Sequence, residues 1–479
     1  MTHPPSTKTG PGPGRAFWPF TLRPAHRERV LCATDGRHGW DEQGARWREP
    51  DTYAAWVASA HARNAETYCT DLGAWPHLAA ASADPRCRVL YSRTRGLRGL
   101  VWRGGPRGRT TRLLAADTWG TWRPDPAGLR ALRDAATAAG VGVHPSPAAL
   151  GSALWATTLG DTNGGRVTPP PPACRADLCA HGVGGRVDGD GHGAREWAEA
   201  WELDMTDAYG SCIGRVPGGR VVRLTDEPTP AWATTTYRRV TVTLTRPVPL
   251  GPIHRRDPDR VRYPTTGTWT TWAWAEEVAD ARDAGATVTE HEGWAWTAWD
   301  DRHGAWGARM HALRQAAPGR ARWAIKLATV AAIGAHGRKP GRLTVTPADR
   351  PSAPEGAVIP TDQAGTWLPL AITEAPGARD GALAHVYSYV VMTCRRRLYA
   401  KALPYARAGR LLATNYDACY VAGTPTAGGP DPDPTALGAW RARCLARLRL
   451  PRPRWVIALG IRRTPGLPRS CPVPAAAGP

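Results

Sequence analysis

Two acidic residues carry the chemistry the sequence suggests most strongly: Asp204 in "LDMTDAYGS" (203–211) and Asp417 in "TNYDACYVAG" (414–423). Asp204 closes an apolar segment that reads as a strand, and Asp417 sits at the tip of a hairpin predicted over 409–423. Carboxylates at the ends of adjacent strands can hold Mg²⁺, with Mn²⁺ as the alternative ion. Such cations take hard oxygen ligands and leave other positions to phosphates and water. A metal pair held this way can activate an attacking 3′-hydroxyl and stabilise a leaving pyrophosphate oxygen. Taken singly, each Asp is a solvated turn residue. The basic segment 312–338 between them changes the reading. Arg322 and Lys326 are four apart and share a helical face, and Arg314 lies two turns earlier on roughly that side, with Pro318-Gly319 intervening. A row of cations facing two acids suits a triphosphate. The alternative is a solvated basic face.

These residues must be positioned by a chain of 479 residues, long enough for two to four domains, with 42% hydrophobic residues to build cores. The formal charge of +21 favours a polyanionic partner such as nucleic acid. GC-rich codon usage is the alternative source of so much Arg. No apolar run approaches the length of a membrane span. Ten cysteines without regular spacing imply reduced thiols in a cytoplasm, and Cys174, Cys179, His181 and His192 fit no standard zinc spacing.

Strands are predicted at 28–35, 66–72, 86–92 and 109–122, with helices at 51–63 (Asp51 as cap) and 125–140. Strands alternating with helices imply an α/β domain, and the proline run 169–172 suggests its end. Beyond it lie a Gly-rich stretch at 181–193 and a half-buried strand at 235–248. A helix, Gly turn, strand, turn and strand follow at 270–296. Then come a long basic helix at about 305–335, a helix at 382–403 and a basic tail.

Four segments in this order resemble family B DNA polymerases of the protein-primed type found in phages and linear replicons. "DMTDAYGS" resembles the first palm motif, "KLATVAAIG" (326–334) the fingers motif, and "TNYDACYVAG" the second palm motif. "GVGGR" (182–186) stands where that family carries a Tyr-x-Gly-Gly linker. The resemblance covers about residues 180–425. It implies that Asp204 and Asp417 are the catalytic metal ligands. Arg314, Arg322, Lys326 and Tyr209 would bind the incoming nucleotide, with Tyr209 excluding a 2′-hydroxyl. Gly184, Gly185 and Arg186 would contact DNA. Asp207 falls where the family has Ser and drops out of the site. The departures are Asn415 for the first Asp of the second palm motif, Val330 and Ile333 for the fingers Asn and Tyr, and Gly182 for the linker Tyr.

The implied fold is a multidomain α+β and α/β chain, an exonuclease-like α/β domain followed by a right-hand polymerase palm with fingers and a short thumb. The expected layout is a disordered arm at 1–25, an exonuclease-like domain at 26–172, and linker and palm at 173–265. Fingers follow at 266–345, palm with the second motif at 346–430, and a short thumb and tail at 431–479. Ala33-Thr34-Asp35 and Asp71 stand where an exonuclease needs four carboxylates, so proofreading is expected to be weak or lost. The expected partners are a DNA template and primer, dNTPs and a terminal protein, with no membrane. Template-directed DNA synthesis is the leading expectation. A template-independent or specialised nucleotidyltransferase and a catalytically dead DNA-binding protein are the alternatives.

Overall fold

The computed structural model describes residues 30–450 apart from 85, 93–95, 103–109, 120–123, 145, 160–167, 189–194, 198–199, 259, 338–341, 348–357, 361–366, 376–382, 426–429 and 446–447. The arm expected at 1–25 lies outside the described residues. The chain folds as two compact units, one of 1–154, 317–328 and 339–382, the other of 155–316, 329–338 and 383–479.

In the first unit, β1 (Val30–Thr34), β2 (His38–Asp41), β3 (Arg46–Arg48), β4 (Ala65–Cys69), β5 (Cys87–Ser92), β6 (Gly96–Trp102) and β7 (Thr111–Ala115) form one mixed sheet. Its order is β3-β2-β1-β4-β7-β6-β5. β1, β4 and β7 run parallel, and α1 (Tyr53–Ala62) makes the crossover that a parallel β1–β4 pair requires. The cap of α1 is Thr52, whose hydroxyl accepts the Ala55 amide at 3.3 Å, and not the expected Asp51. After α2 (Leu78–Ala83), α3 (Pro126–Ala138) starts as its sequence predicts. Asp125 accepts the Gly128 amide at 2.7 Å, and Pro126 fills the first turn. Apolar positions of α1, β4, β6 and β7 converge on Trp56, Trp75 and Trp102, with ring centroids 4.9–6.1 Å apart. α4 (Pro147–Leu159) runs on into the second unit.

After the end of α4, the second unit continues with α5 (Pro172–His181), which starts at the end of the proline run. Then come β8 (Arg186–Asp188), β9 (Arg195–Trp197), β10 (Ala200–Met205), α6 (Ala208–Cys212), β11 (Val216–Leu224) and β12 (Thr235–Leu244). They lead to β13 (Arg255–Arg256), β14 (Val261–Arg262), β15 (Gly267–Trp274), α7 (Ala275–Asp283), β16 (Thr287–Asp300) and α8 (His303–Ala316). The strand, turn and strand expected before residue 296 are one 14-residue strand, β16, which binds both β11 and β12. The single long helix expected at 305–335 is two, α8 and α9 (Gly319–His336), because Pro318 has no N–H to continue the ladder. Residues 319–328 of α9 belong to the first unit and 329–336 to the second. β17 (Arg342–Pro347), β18 (Val358–Pro360) and β19 (Trp367–Ala375) form a small antiparallel sheet in the first unit. α10 (Ala384–Arg407), β20 (Leu411–Tyr416), β21 (Ala418–Ala422), β22 (Trp440–Leu445) and β23 (Leu448–Leu450) complete the second.

Two antiparallel sheets organise this second unit, β11-β16-β12-β15 and β22-β10-β21-β20-β8. α10 ties them together. Its Ser388 accepts the Trp274 indole N–H at 3.0 Å, and Arg395 donates to Glu277 at 2.7 Å, both partners following β15 or ending it. From the same helix, Arg397 reaches Ser211 at 2.8 Å and the Cys394 thiol points at the Tyr416 carbonyl.

Candidate functional site

β10 is "AWELDM". Its residues alternate between faces, so Glu202 and Asp204 share one face while Leu203 and Met205 are buried on the other. It lies inside the sheet, with β21 on one side and β22 on the other. Asp204 stands opposite Ala418 of β21, the residue after Asp417, and the Met205 amide donates to the Asp417 carbonyl at 3.0 Å. The two acids therefore sit at neighbouring strand ends. The turn that carries Asp417 is tight. Tyr416 adopts φ 55°, and the Asp417 amide donates to the Asn415 carbonyl at 2.7 Å. A side chain at Gly185 would put its Cβ 2.5 Å from Cδ1 and 3.1 Å from Cα of Tyr416, so the close approach of this linker glycine to the hairpin requires the absence of a Cβ. The Tyr416 ring is half exposed.

On its other side Asp204 meets β22. The register places Asp204 opposite Arg441 and Glu202 opposite Arg443. Arg441 donates to one carboxylate oxygen, Oδ2, through Nε at 2.8 Å and through Nη2. Arg443 holds Glu202 Oε2 in the same way, with Nε at 2.6 Å, while the Tyr420 hydroxyl donates to Glu202 Oε1 at 3.2 Å. In both pairs the acid is nearly buried and the guanidinium open: Asp204 is 15% exposed and Arg441 43%. The sequence reading missed Arg441 and Arg443. The signal was available, since "WELDM" and "WRARC" carry acids and arginines at the same spacing of two.

The turn after β10 is clamped. Thr206 donates its amide to Ala439 and accepts the Gly438 amide on its carbonyl, both at 2.8 Å. Arg397 bridges Ser211 Oγ and the Gly438 carbonyl. Asp207, at φ 49°, accepts His311 Nδ1 at 2.7 Å and is ion-paired to Arg314. Arg314 is thus engaged with an acid expected to have no part in the site. Tyr209 is half-buried on α6. Burial, followed by the fields of Cys394, Tyr387, Asp417 and Tyr416, keeps its hydroxyl protonated well above the usual tyrosine range.

Arg186 corrects a second expectation. Its side chain is 1% exposed, donates to the Gly251 carbonyl at 2.7 Å and lies 4.1 Å over the Tyr263 ring, so it is a buried strut and not a surface contact. Gly184 is exposed, and its carbonyl accepts Arg395 at 3.0 Å. Arg322 and Lys326 stand four apart on an exposed face of α9 in the first-unit part of that helix. Val330 is exposed and Ile333 buried. In the first unit, burial would raise the Asp35 carboxyl, but the amides of His38 and Arg37 and the His38 side chain together hold it below the usual range. Asp71 accepts the Ala74 amide at 3.2 Å.

Among the described residues no three His, Cys, Asp or Glu side chains gather as a metal centre. Cys174 is buried and His181 stacks on Trp272, while His192 lies outside the described residues. Among the described residues the cysteines form no disulfide, and no described helix is long and apolar enough to cross a membrane. Asp204 and Asp417 nevertheless fit Mg²⁺ as a donor set. Both are carboxylates, and one or two carboxylates with phosphates and water are its usual complement. The ion would have to share Asp204 with Arg441 or replace it.

No protein-family model matches the chain, and no curated protein is significantly similar to it. Solved structures do share its fold. Phi29 DNA polymerase complexed with primer-template DNA and incoming nucleotide substrates superposes with a TM-score of 0.67 at 11% identity, covering 88% of this chain and 87% of that one. The same polymerase complexed with single-stranded DNA gives 0.66 at 12% identity, covering 88% and 86%. The chain therefore has the mixed α/β fold of that polymerase over most of its length.

Proposed function

We propose that this chain is a template-directed DNA polymerase related to the protein-primed family B enzymes, adding dNTPs to a 3′-hydroxyl or a protein hydroxyl. One observation carries the reading. Asp204 and Asp417 lie at neighbouring strand ends inside a sheet, in a chain that shares its fold with a polymerase over 88% of its length. On this reading residues 26–172 are exonuclease-like, 173–265 and 346–430 contribute the palm, 266–345 the fingers, and 431–479 a short thumb. The partners are primer, template, dNTPs and a terminal protein.

Asp204 and Asp417 would hold Mg²⁺. Bound there, it supplies Lewis-acid activation of the attacking hydroxyl and neutralises charge at the α-phosphate and the departing pyrophosphate. The remaining work falls to the chain. Arg322 and Lys326 neutralise triphosphate oxygens. Tyr209, beside Asp417, keeps its phenol protonated and bars a 2′-hydroxyl by volume. Gly184 and Gly185 let backbone approach the template. Arg314 and Arg186 are left out of these roles because their charges are already engaged. Primer extension with purified protein tests the reading. Asp204→Asn and Asp417→Asn are each expected to lower the rate by at least about a hundredfold; unchanged rates would refute it.

The ion pair between Arg441 and Asp204 favours a second reading, a polymerase fold retained as a DNA-binding protein without turnover. Tight primer-template binding with no incorporation under Mg²⁺ or Mn²⁺ would select it. Incorporation that persists when template is omitted would select a template-independent nucleotidyltransferase.

A further inference from the structure

Arg441 deepens the polymerase reading and rests on it. It lies on β22, the edge strand of its sheet, directly across from Asp204. Both of its contacts to that carboxylate fall on Oδ2, and the guanidinium is 43% exposed against 15% for the acid. Asp204 is thus fixed by its strand, while Arg441 has solvent on one side and room to leave. A guanidinium bound to a carboxylate in a partly dry site competes with any cation that needs the same oxygens. Once displaced, it is an unpaired cation whose strongest available partner is a phosphate, which it can engage through two N–H donors.

We propose that Arg441 is a charge-exchange latch. Without metal it neutralises Asp204. When a divalent ion takes the carboxylate, the guanidinium transfers to a phosphate of the bound substrate, so metal and phosphate bind cooperatively. The pair Glu202–Arg443, two residues along the same two strands, provides an internal control. It has matching geometry, but Tyr420 also holds its acid.

Mn²⁺ titration followed by electron paramagnetic resonance tests this on the full chain. It is run without ligand, with primer-template DNA alone, and with a dNTP alone. In the wild type, the phosphate source that accepts Arg441 should tighten Mn²⁺ binding by about tenfold, within the usual span of coupling between sites. The two arms show whether that source is the DNA backbone or the triphosphate. Arg441→Gln should bind Mn²⁺ about tenfold more tightly than wild type without ligand and lose the further gain. Arg441→Lys, which keeps a cation opposite Asp204, should restore part of the coupling, and Arg443→Gln should leave Mn²⁺ affinity unchanged. Thermal melting monitors folding of each variant. Equal Mn²⁺ affinity in wild type and Arg441→Gln without ligand, or undiminished coupling in Arg441→Gln, would overturn the latch. Asp204→Asn separates this from failure of the underlying reading. If it binds Mn²⁺ as tightly as wild type, the metal is not at Asp204, and the polymerase assignment of that residue fails with the latch.

Discussion

Gly185 and Tyr416 show how little freedom the site has at the level of single residues. Tyr416 holds a backbone conformation that residues with a side chain seldom adopt, and it does so against a glycine whose missing Cβ makes the approach possible. Gly185→Ala adds one carbon within 3.1 Å of the Tyr416 Cα, and a backbone atom cannot swing aside as a ring can. The hairpin tip, and Asp417 with it, must shift by tenths of an ångström. A misplacement of about 1 Å at a reacting centre can cost about a hundredfold in rate, and a smaller shift correspondingly less. We therefore expect Gly185→Ala to lower the rate of nucleotide addition and, because the added Cβ also hinders backbone approach to the template, DNA affinity, measured by single-turnover extension beside a filter-binding titration. Asp204 and Asp417 could be found in the sequence because each ends a short segment whose pattern reads as strand or hairpin. The partners of Asp207 and Arg186 could not, because each lies across the fold, Arg314 being 107 residues from Asp207; Arg441, 237 residues from Asp204, left only the matched spacing of two in "WELDM" and "WRARC".

At the level of elements, the legible parts are those whose signal is local. The helix α3, the alternation of β12 and the β20–β21 hairpin form where expected. What the sequence hides is how elements are joined. α7 and α10 are joined by a buried ion pair between Glu277 and Arg395, which are 3% and 5% exposed. Burial alone would raise the Glu277 carboxyl; the adjacent Arg395 reverses this and holds it below the usual range. Arg395 also caps the Val183 and Gly184 carbonyls at 3.1 and 3.0 Å, so one side chain holds together α10, α7 and the segment leading into β8. Arg395→Met removes the cation and strands a buried carboxylate, a change that typically costs about 3–5 kcal/mol. The expected outcome is a urea midpoint shifted down accordingly, with Glu277→Gln in the same chain restoring part of the loss.

For the molecule as a whole, pH is the simplest probe. His254, His336 and His385 are all buried, and burial lowers their pKa to about 4, about 3 and about 3. His336 and His385 also feel His303, and each other in the case of His385, while Glu277 partly offsets the effect at His254. Trp155 lies 5.0 Å from His336, and Trp296 stacks near His385. In each case the folded protein refuses a proton that the unfolded chain accepts near pH 6.5. Their contribution is therefore complete above pH 6.5 and is lost as pH falls below it, by about 1.4 kcal/mol per pH unit for each histidine at full slope. Urea midpoints followed by tryptophan fluorescence should fall between pH 7 and 5, and His385→Leu should flatten the profile. A midpoint independent of pH over that range would show that these imidazoles are protonated in the fold or exposed.

The sheet around β10 has a consequence for how the protein is made. β10 is an interior strand, yet neither neighbour is close in the chain: residues 418–422 close one edge and 440–445 the other. On the ribosome, "AWELDM" emerges first and waits with both edges open and Glu202 and Asp204 uncompensated. Its tryptophan and leucine face no partner until more than 200 further residues have been joined. Chaperone dependence and aggregation during expression should thus follow the delay before the final strands arrive, and a chain cut before residue 440 would carry its two acids without the arginines that balance them.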